Sequence, residues 1–205
     1  FKKTQFALLM KFLYFRTFVK YPLFMEATYI ETQQISFQDF KNQILEDYKL
    51  GRISREMSYL GRREVLTGKA KFGIFGDGKE LPQLAMAKVF KKGDFRSGYY
   101  RDQTFAMAIN AVSVESFFAQ LYADTSVERE PASAGRQMNG HYATRSLNED
   151  GSWKNLMQQK NISSDISPTA GQMPRLLGLA MASKVYKSVK FDGSEKFSNE
   201  GNEVA

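Results

Sequence analysis

The 205-residue chain contains no cysteine and a single histidine, His141. Without cysteine it has no thiolate metal ligand, no cysteine nucleophile and no disulfide, a composition that fits a reducing compartment such as the cytoplasm. With one histidine it cannot form a site that needs two imidazoles, such as the zinc site of many metalloproteases. A Ser-His-Asp triad could use only His141, and the sequence has no Gly-x-Ser-x-Gly motif.

Long apolar runs are also missing. Residues 6–10 and 12–15 are apolar, but Lys11 separates them and Arg16 follows. Each run is far shorter than the ~20 residues that a membrane-spanning helix needs. A signal peptide would need an uninterrupted apolar centre and a cleavage site of small residues, and neither is evident. We therefore predict no membrane span.

The positive charge is concentrated at the start of the chain. Of the net charge of +7, residues 1–24 carry five lysines and arginines and no acid, which leaves +2 for the rest. The chain begins with Phe1, whereas Met25 precedes an ordinary globular sequence. We predict a basic, aromatic leader at 1–24, appended to a domain at 25–205. A helix at a membrane interface, or a module that binds nucleic acid or another anionic surface, is the alternative for the leader.

The remaining sequence predicts helices that alternate with short apolar segments. Ser36 is a candidate N-cap, with an apolar stripe of packing residues after it (Phe37, Phe40, Ile44, Leu45, Tyr48). Helices are expected at 81–90, from Ser113 or Ser116, and at 174–187, where small residues such as Gly178 permit a close neighbour. Residues 95–101 suit a buried strand. This alternation predicts an α/β domain with a mostly parallel sheet flanked by helices.

Three polar segments carry candidate chemistry. Arg101 follows two tyrosines at the end of the predicted strand, where a guanidinium could hold a diphosphate; an Arg101–Asp102 pair on the rim is the alternative. Ser167 and Thr169 precede a helix and could receive an aminopyrimidine or an ion, or could simply cap the helix. His141 lies in the polar, glycine-bounded stretch 135–142, which we expect outside the core.

In this order, the three segments resemble the alpha part of the thiamine diphosphate-dependent 2-oxo acid dehydrogenases, most closely the branched-chain member. The segments read Tyr-Tyr-Arg-Asp (99–102), Gly-Arg-Gln-Met-Asn-Gly-His-Tyr (135–142) and Ser-Pro-Thr-Ala-Gly-Gln-Met-Pro (167–174). The second matches the family's Gly-Arg-Gln-Met-x-x-His-Tyr at every fixed position. The resemblance covers about residues 36–205 and implies a thiamine diphosphate-binding fold, incomplete at its C-terminal side.

The resemblance also implies roles for particular residues. Those expected to bind the cofactor are Tyr100, Arg101, Ser167 and Thr169, and those expected to bind substrate are Phe72, Met138 and His141, the last also in a catalytic role. A methionine gives an adaptable apolar wall, and a histidine can hold a carboxylate or move a proton. The sequence departs from the family at Thr169, where the family has a leucine near the pyrimidine. It also departs at Ile166 and Gly171, which puts the family's potassium site in doubt.

Gly76-Asp77-Gly78 is similar to the family's magnesium motif, and Asn110 lies near the expected distance from it. We interpret this as coincidence, because the apolar run before Gly76 is weak. In addition, residues 68–88 align without gaps to a different segment of the family. The magnesium ligands are expected beyond Ala205, so this portion of the enzyme should be inactive by itself.

The implied function is the decarboxylating first component of a 2-oxo acid dehydrogenase complex. It oxidatively decarboxylates a branched-chain 2-oxo acid such as 2-oxoisovalerate and transfers the acyl group to lipoyl-lysine. The implied partners are a beta subunit, or a fused beta part, and the lipoyl-bearing acyltransferase component. A pyruvate or acetoin dehydrogenase alpha subunit is the alternative enzyme, and the basic module at 1–24 is the alternative of another class.

Overall fold

The computed structural model describes residues 35–165, 167–199, 201 and 203. Lys41–Ala205 forms one compact unit. The predicted leader at 1–24 and the boundary at Met25 lie outside the described residues. Ile166 does as well.

The first helix, α1, spans Phe37–Leu66 and runs without a break through Gly51. Ser36 caps it as predicted, because its Oγ accepts a hydrogen bond from the Asp39 backbone N–H at 3.1 Å. The prediction that the following apolar stripe packs into a core is wrong for the described structure. Its members are 49–80% exposed (Phe37, Phe40, Ile44, Leu45, Tyr48). The buried residues of α1 lie in its second half (Ser54, Met57, Ser58, Gly61, Glu64).

Three of the other helices begin close to the predicted positions, whereas the short helix at 103–108 was not predicted. Helix α2 spans Glu80–Val89, α3 spans Gln103–Ala108, α4 spans Val114–Leu121 and α5 spans Gln172–Ser188. Both serines proposed for the start of α4 take part, since Ser113 and Ser116 form a capping box. Two short 3-10 helices lie at Leu156–Gln158 and Ser194–Lys196.

Two short strands form a parallel sheet. Strand β1 spans Phe95–Ser97 and β2 spans Asn161–Ser163, and the register pairs Arg96 with Ile162. Helix α5 contacts β1, and the Ser97 hydroxyl donates to the Gln172 carbonyl at 3.2 Å. The domain is therefore a mixed α/β structure with a small parallel sheet.

Two apolar clusters form the core. The first consists of Met57, Ala70, Phe75, Met107, Phe117 and Leu121. The second consists of Ala87, Phe105, Ala106, Ile109, Tyr142 and Ile162, and thus joins α2 and α3 to β2. Tyr142 brings the segment that contains His141 onto this second cluster.

Helix α5 contributes no buried residue, and nothing lies within 4 Å of a Cβ built on Gly178. The close neighbour expected at that glycine is thus not found in the part of the chain that the structure describes. In the same ranges, no helix combines the length and apolar character needed to cross a membrane.

Candidate functional site

His141 is buried, with 6% of its surface exposed, so the expectation that its segment lies outside the core is wrong. The segment tolerates burial because its polar backbone is satisfied by side chains. The Gln120 side-chain amide donates to the His141 carbonyl at 2.8 Å and accepts from the His141 N–H at 3.2 Å. Residues 139–142, the end of this polar segment, are therefore buried, while residues 136–138 are exposed.

The His141 ring joins two of the predicted segments. Its Nδ1 lies 3.0 Å from the Met138 carbonyl oxygen and its Nε2 lies 2.9 Å from the Ser167 Oγ. Because a carbonyl can only accept, Nδ1 carries the proton of the neutral ring. Nε2 is then left to accept from the Ser167 hydroxyl, so the basic nitrogen of His141 is directed at an exposed residue. This arrangement suits the transfer of a proton at Nε2.

The two tyrosines of the first segment reach the other two segments. The Tyr99 hydroxyl lies 3.0 Å from the Thr169 Oγ1 and also hydrogen-bonds the Tyr100 hydroxyl. The hydrogen bond with Thr169, followed by the one with Tyr100, lowers the pKa of Tyr99. The bond with Tyr99, followed by burial, raises the pKa of Tyr100. The Tyr100 and His141 rings are stacked at 29°, with their centroids 6.4 Å apart.

Arg101 is exposed, and its guanidinium lies 5.7 Å from the centre of the Tyr100 ring. The alternative of a rim pair with Asp102 is wrong. Asp102 Oδ2 instead accepts from the Tyr99 N–H at 2.9 Å and from Arg96 at 2.7 Å. Among the described residues, no ion pair involves Arg101. Its charge is available to an anion in the solvent.

Two glycines allow neighbouring loops to contact the backbone of this segment. A Cβ on Gly140 would lie 2.5 Å from the Tyr100 carbonyl oxygen, and one on Gly76 would lie 2.3 Å from that of Arg101. Gly76 begins the Gly-Asp-Gly sequence, whose Asp77 forms an ion pair with Arg62 at 2.7 Å. Gly76 therefore has a structural reason to be glycine that involves no metal.

Phe72 and Met138 lie on segments joined by the Asn139 side chain. That amide donates to the Ile74 carbonyl and accepts from the Ile74 N–H, each at 3.1 Å. Phe72 is 49% and Met138 45% exposed. Two large apolar side chains therefore face solvent on adjoining segments, and their predicted part in substrate binding remains a prediction.

Sequence reasoning missed the buried group beneath these loops. Arg96, in β1, is 8% exposed and forms ion pairs with Asp102 and with Asp165, whose carboxylate lies 3.0 Å away. Burial raises the pKa of Asp165, and Arg96 opposes that effect. An arginine inside a strand predicted to be buried was the available signal, since such a charge needs a carboxylate partner.

Arg101, Tyr100 and Thr169 are residues of the kind that bind the phosphates of a cofactor. Arg101 supplies an unpaired cation, and the hydroxyls of Tyr100 and Thr169 lie on the two segments beside it. Such a set can hold phosphate oxygens by charge-assisted hydrogen bonds. The ranges 35–165 and 167–199 contain no group of three acidic, histidine or cysteine side chains that could hold a metal ion. We therefore assign no magnesium ligand and no step through the metal.

No protein-family model matches this chain, and no curated protein matches it significantly. The motifs and the geometry of the three segments are therefore the basis for a functional assignment.

Proposed function

We propose that this chain is part of the decarboxylating component of a 2-oxo acid dehydrogenase and adopts a thiamine diphosphate-binding fold. Its substrate is a branched-chain 2-oxo acid, whose acyl group passes to lipoyl-lysine on an acyltransferase component. A beta subunit or fused beta part completes the enzyme. The cytoplasmic location predicted from the cysteine-free sequence belongs to the same proposal.

The observation that carries the proposal is the convergence of three segments far apart in sequence. Ser167 bonds to His141 across 26 residues, and Thr169 bonds to Tyr99 across 70. These are the segments in which the sequence resembles the family. A resemblance confined to scattered surface loops would not require such contacts.

Each segment has a defined task in the proposed site. Arg101 and Tyr100 bind the diphosphate, while Ser167 and Thr169 border the rest of the cofactor. When bound, thiamine diphosphate supplies the carbanion chemistry of decarboxylation, and the protein positions it and excludes water. His141 holds or moves a proton at Nε2, and Phe72 and Met138 provide the apolar wall for a branched side chain.

The proposal is tested with the complete gene product and its beta partner. We expect decarboxylation that depends on thiamine diphosphate, measured with an artificial electron acceptor, and a higher kcat/KM for 2-oxoisovalerate than for pyruvate. A preference for pyruvate would replace the branched-chain assignment with the pyruvate dehydrogenase alternative. The absence of thiamine-dependent turnover with either acid would contradict the proposal.

A binding measurement tests the role of Arg101 separately. Arg101→Ala should weaken thiamine diphosphate binding about 10- to 100-fold, because it removes hydrogen bonds to a charged group, and should leave thiamine binding nearly unchanged. Arg52→Ala is the matched control, because this substitution removes the same charge. Arg52 is paired with Glu56 within α1 at 2.7 Å. An equal loss in both variants would show only a general effect of charge.

A further inference from the structure

The three segments of the candidate site share one buried cation. The Arg96 guanidinium donates to the Tyr99 carbonyl at 3.1 Å and to Asp102 Oδ2 at 2.7 Å, which holds the first segment. It also donates to Asp165 Oδ1 at 3.0 Å, just before the third segment. A single planar group thus contacts two loops that are far apart in sequence.

Asp165 extends the connection to the remaining segment. Its Oδ2 accepts from the Tyr142 N–H at 3.2 Å, and Tyr142 directly follows His141. The Asp165 side chain has no exposed surface, so its charge depends on Arg96 for compensation. The relative positions of the Tyr99–Tyr100 pair, His141 and Ser167 therefore depend on this network.

Gly98 leaves the space that the Arg96 guanidinium occupies. A Cβ built on Gly98 would lie 1.8 Å from the Arg96 Cζ, so any other residue at position 98 would displace the group. Arg96 also lies 5.8 Å from the centre of the Phe105 ring, which anchors it to the second core cluster. The fork geometry of arginine satisfies three acceptors at once, which lysine cannot reproduce.

We propose that Arg96 is a positioning residue, which fixes His141 and Ser167 relative to Tyr99 and Tyr100 through its bonds to Asp102 and Asp165. It does not itself contact substrate or cofactor. The inference rests on the proposed function only for the identity of what binds at the site. The arrangement of the three loops can be measured without any ligand.

The test uses the only histidine and the only tryptophan of the chain as two reporters in the same NMR sample. The His141 ring stacks on Tyr100, so movement of the tyrosine segment changes the ring current at the imidazole. Trp153 packs on Phe197, outside the network. In the ligand-free 205-residue chain, we expect Arg96→Lys to shift the imidazole resonances and to leave the Trp153 indole resonance in place.

Two further variants make the result specific. Gly98→Ala keeps the arginine but displaces its guanidinium, and should shift the His141 resonances in the same sense. Arg55→Lys is the matched control, because Arg55 makes two bonds of 2.6 Å to Glu80 and none to the three segments. It should leave the imidazole resonances unchanged.

Thiamine diphosphate affinity provides an independent readout. Arg96→Lys should weaken binding about tenfold, and Arg55→Lys should not. These affinities are measured on the complete gene product with its beta partner. If the wild-type gene product does not bind the cofactor, the proposed function fails, while the NMR result still decides the role of Arg96. Unchanged His141 resonances in both Arg96→Lys and Gly98→Ala would overturn the inference, as would equal shifts in Arg55→Lys.

Discussion

The Nε2 atom of His141 and the hydroxyl of Ser167 lie 2.9 Å apart, although 26 residues separate them in sequence. The imidazole is buried and the serine is exposed, so the pair connects the interior to the surface of the candidate site. Nδ1 hydrogen-bonds the Met138 carbonyl, and Ser167 is the hydrogen-bond partner of Nε2 among the described residues. A ligand that displaced Ser167 would meet a nitrogen able to accept a proton.

Removal of the Ser167 hydroxyl should have a measurable effect on stability. We expect Ser167→Ala to lower the free energy of unfolding by about 1 kcal/mol, because the Nε2 of a largely buried ring loses its donor. Urea unfolding monitored by circular dichroism measures this change. Ser188→Ala is the control, since that hydroxyl bonds only to carbonyls of its own helix, and it should stay within about 0.5 kcal/mol of the wild type. Equal stabilities of the two variants would show that the His141–Ser167 bond contributes nothing.

Gly140 should be far less tolerant of substitution than another glycine with the same backbone conformation. Gly140 has φ of +84°, and an added Cβ would lie 2.5 Å from the Tyr100 carbonyl oxygen. Gly151 has φ of +81°, with nothing within 4 Å of such a Cβ. Gly151→Ala therefore measures the backbone strain alone, about 1–2 kcal/mol. Gly140→Ala should lower the free energy of unfolding by more than this and should also move the Tyr100 segment. A smaller loss for Gly140→Ala than for Gly151→Ala in denaturant unfolding would contradict the close approach.

Glu80 should make stability depend on pH in the acid range. Its hydrogen bonds with Arg55, opposed by burial, hold its pKa below the ordinary value of 4.5. A carboxyl group whose pKa is lower in the folded state stabilises the fold above its unfolded pKa. This contribution is lost as the pH falls from about 4.5 through the lower folded value. We therefore expect the unfolding free energy of the wild type to decline more steeply there than that of Glu80→Gln. Parallel curves of unfolding free energy against pH would show that Glu80 is not responsible.

Several helix boundaries were predictable because local signals determine them, although α3 was not predicted. Pro82 near the start of α2 and the Lys91-Lys92-Gly93 stretch after its end place that helix within a residue of the structure. The capping box of Ser113 and Ser116 likewise appears in the sequence as two candidate caps, both of which are used. Such signals depend on neighbours within four residues, and no distant contact is needed to interpret them.

Burial was less predictable, because it depends on partners far away in sequence. The apolar stripe that starts at Phe37 has helical periodicity, yet periodicity does not say what covers it, and it is exposed. The polar segment around His141 is buried because Gln120 and Asn139 satisfy backbone groups, over 21 and 65 residues respectively. Arg96 was overlooked for the same reason, since its partner Asp165 is 69 residues away.

The turn before α5 contains a strained residue whose replacement should stabilise the protein. Ala170 has φ of +64°, a left-handed conformation that costs a residue with a Cβ about 1–2 kcal/mol. Glycine adopts it freely but loses more entropy on folding, so Ala170→Gly should raise the free energy of unfolding by a net of up to about 1 kcal/mol. Ala180→Gly makes the same replacement inside α5, where the residue is helical. This variant should lower the free energy of unfolding by about 1 kcal/mol. Thermal and urea unfolding of both variants compare the two signs directly. Destabilisation by Ala170→Gly would mean that the positive φ is not adopted in solution, and the placement of Thr169 beside Tyr99 would then need revision, because the same turn positions both residues.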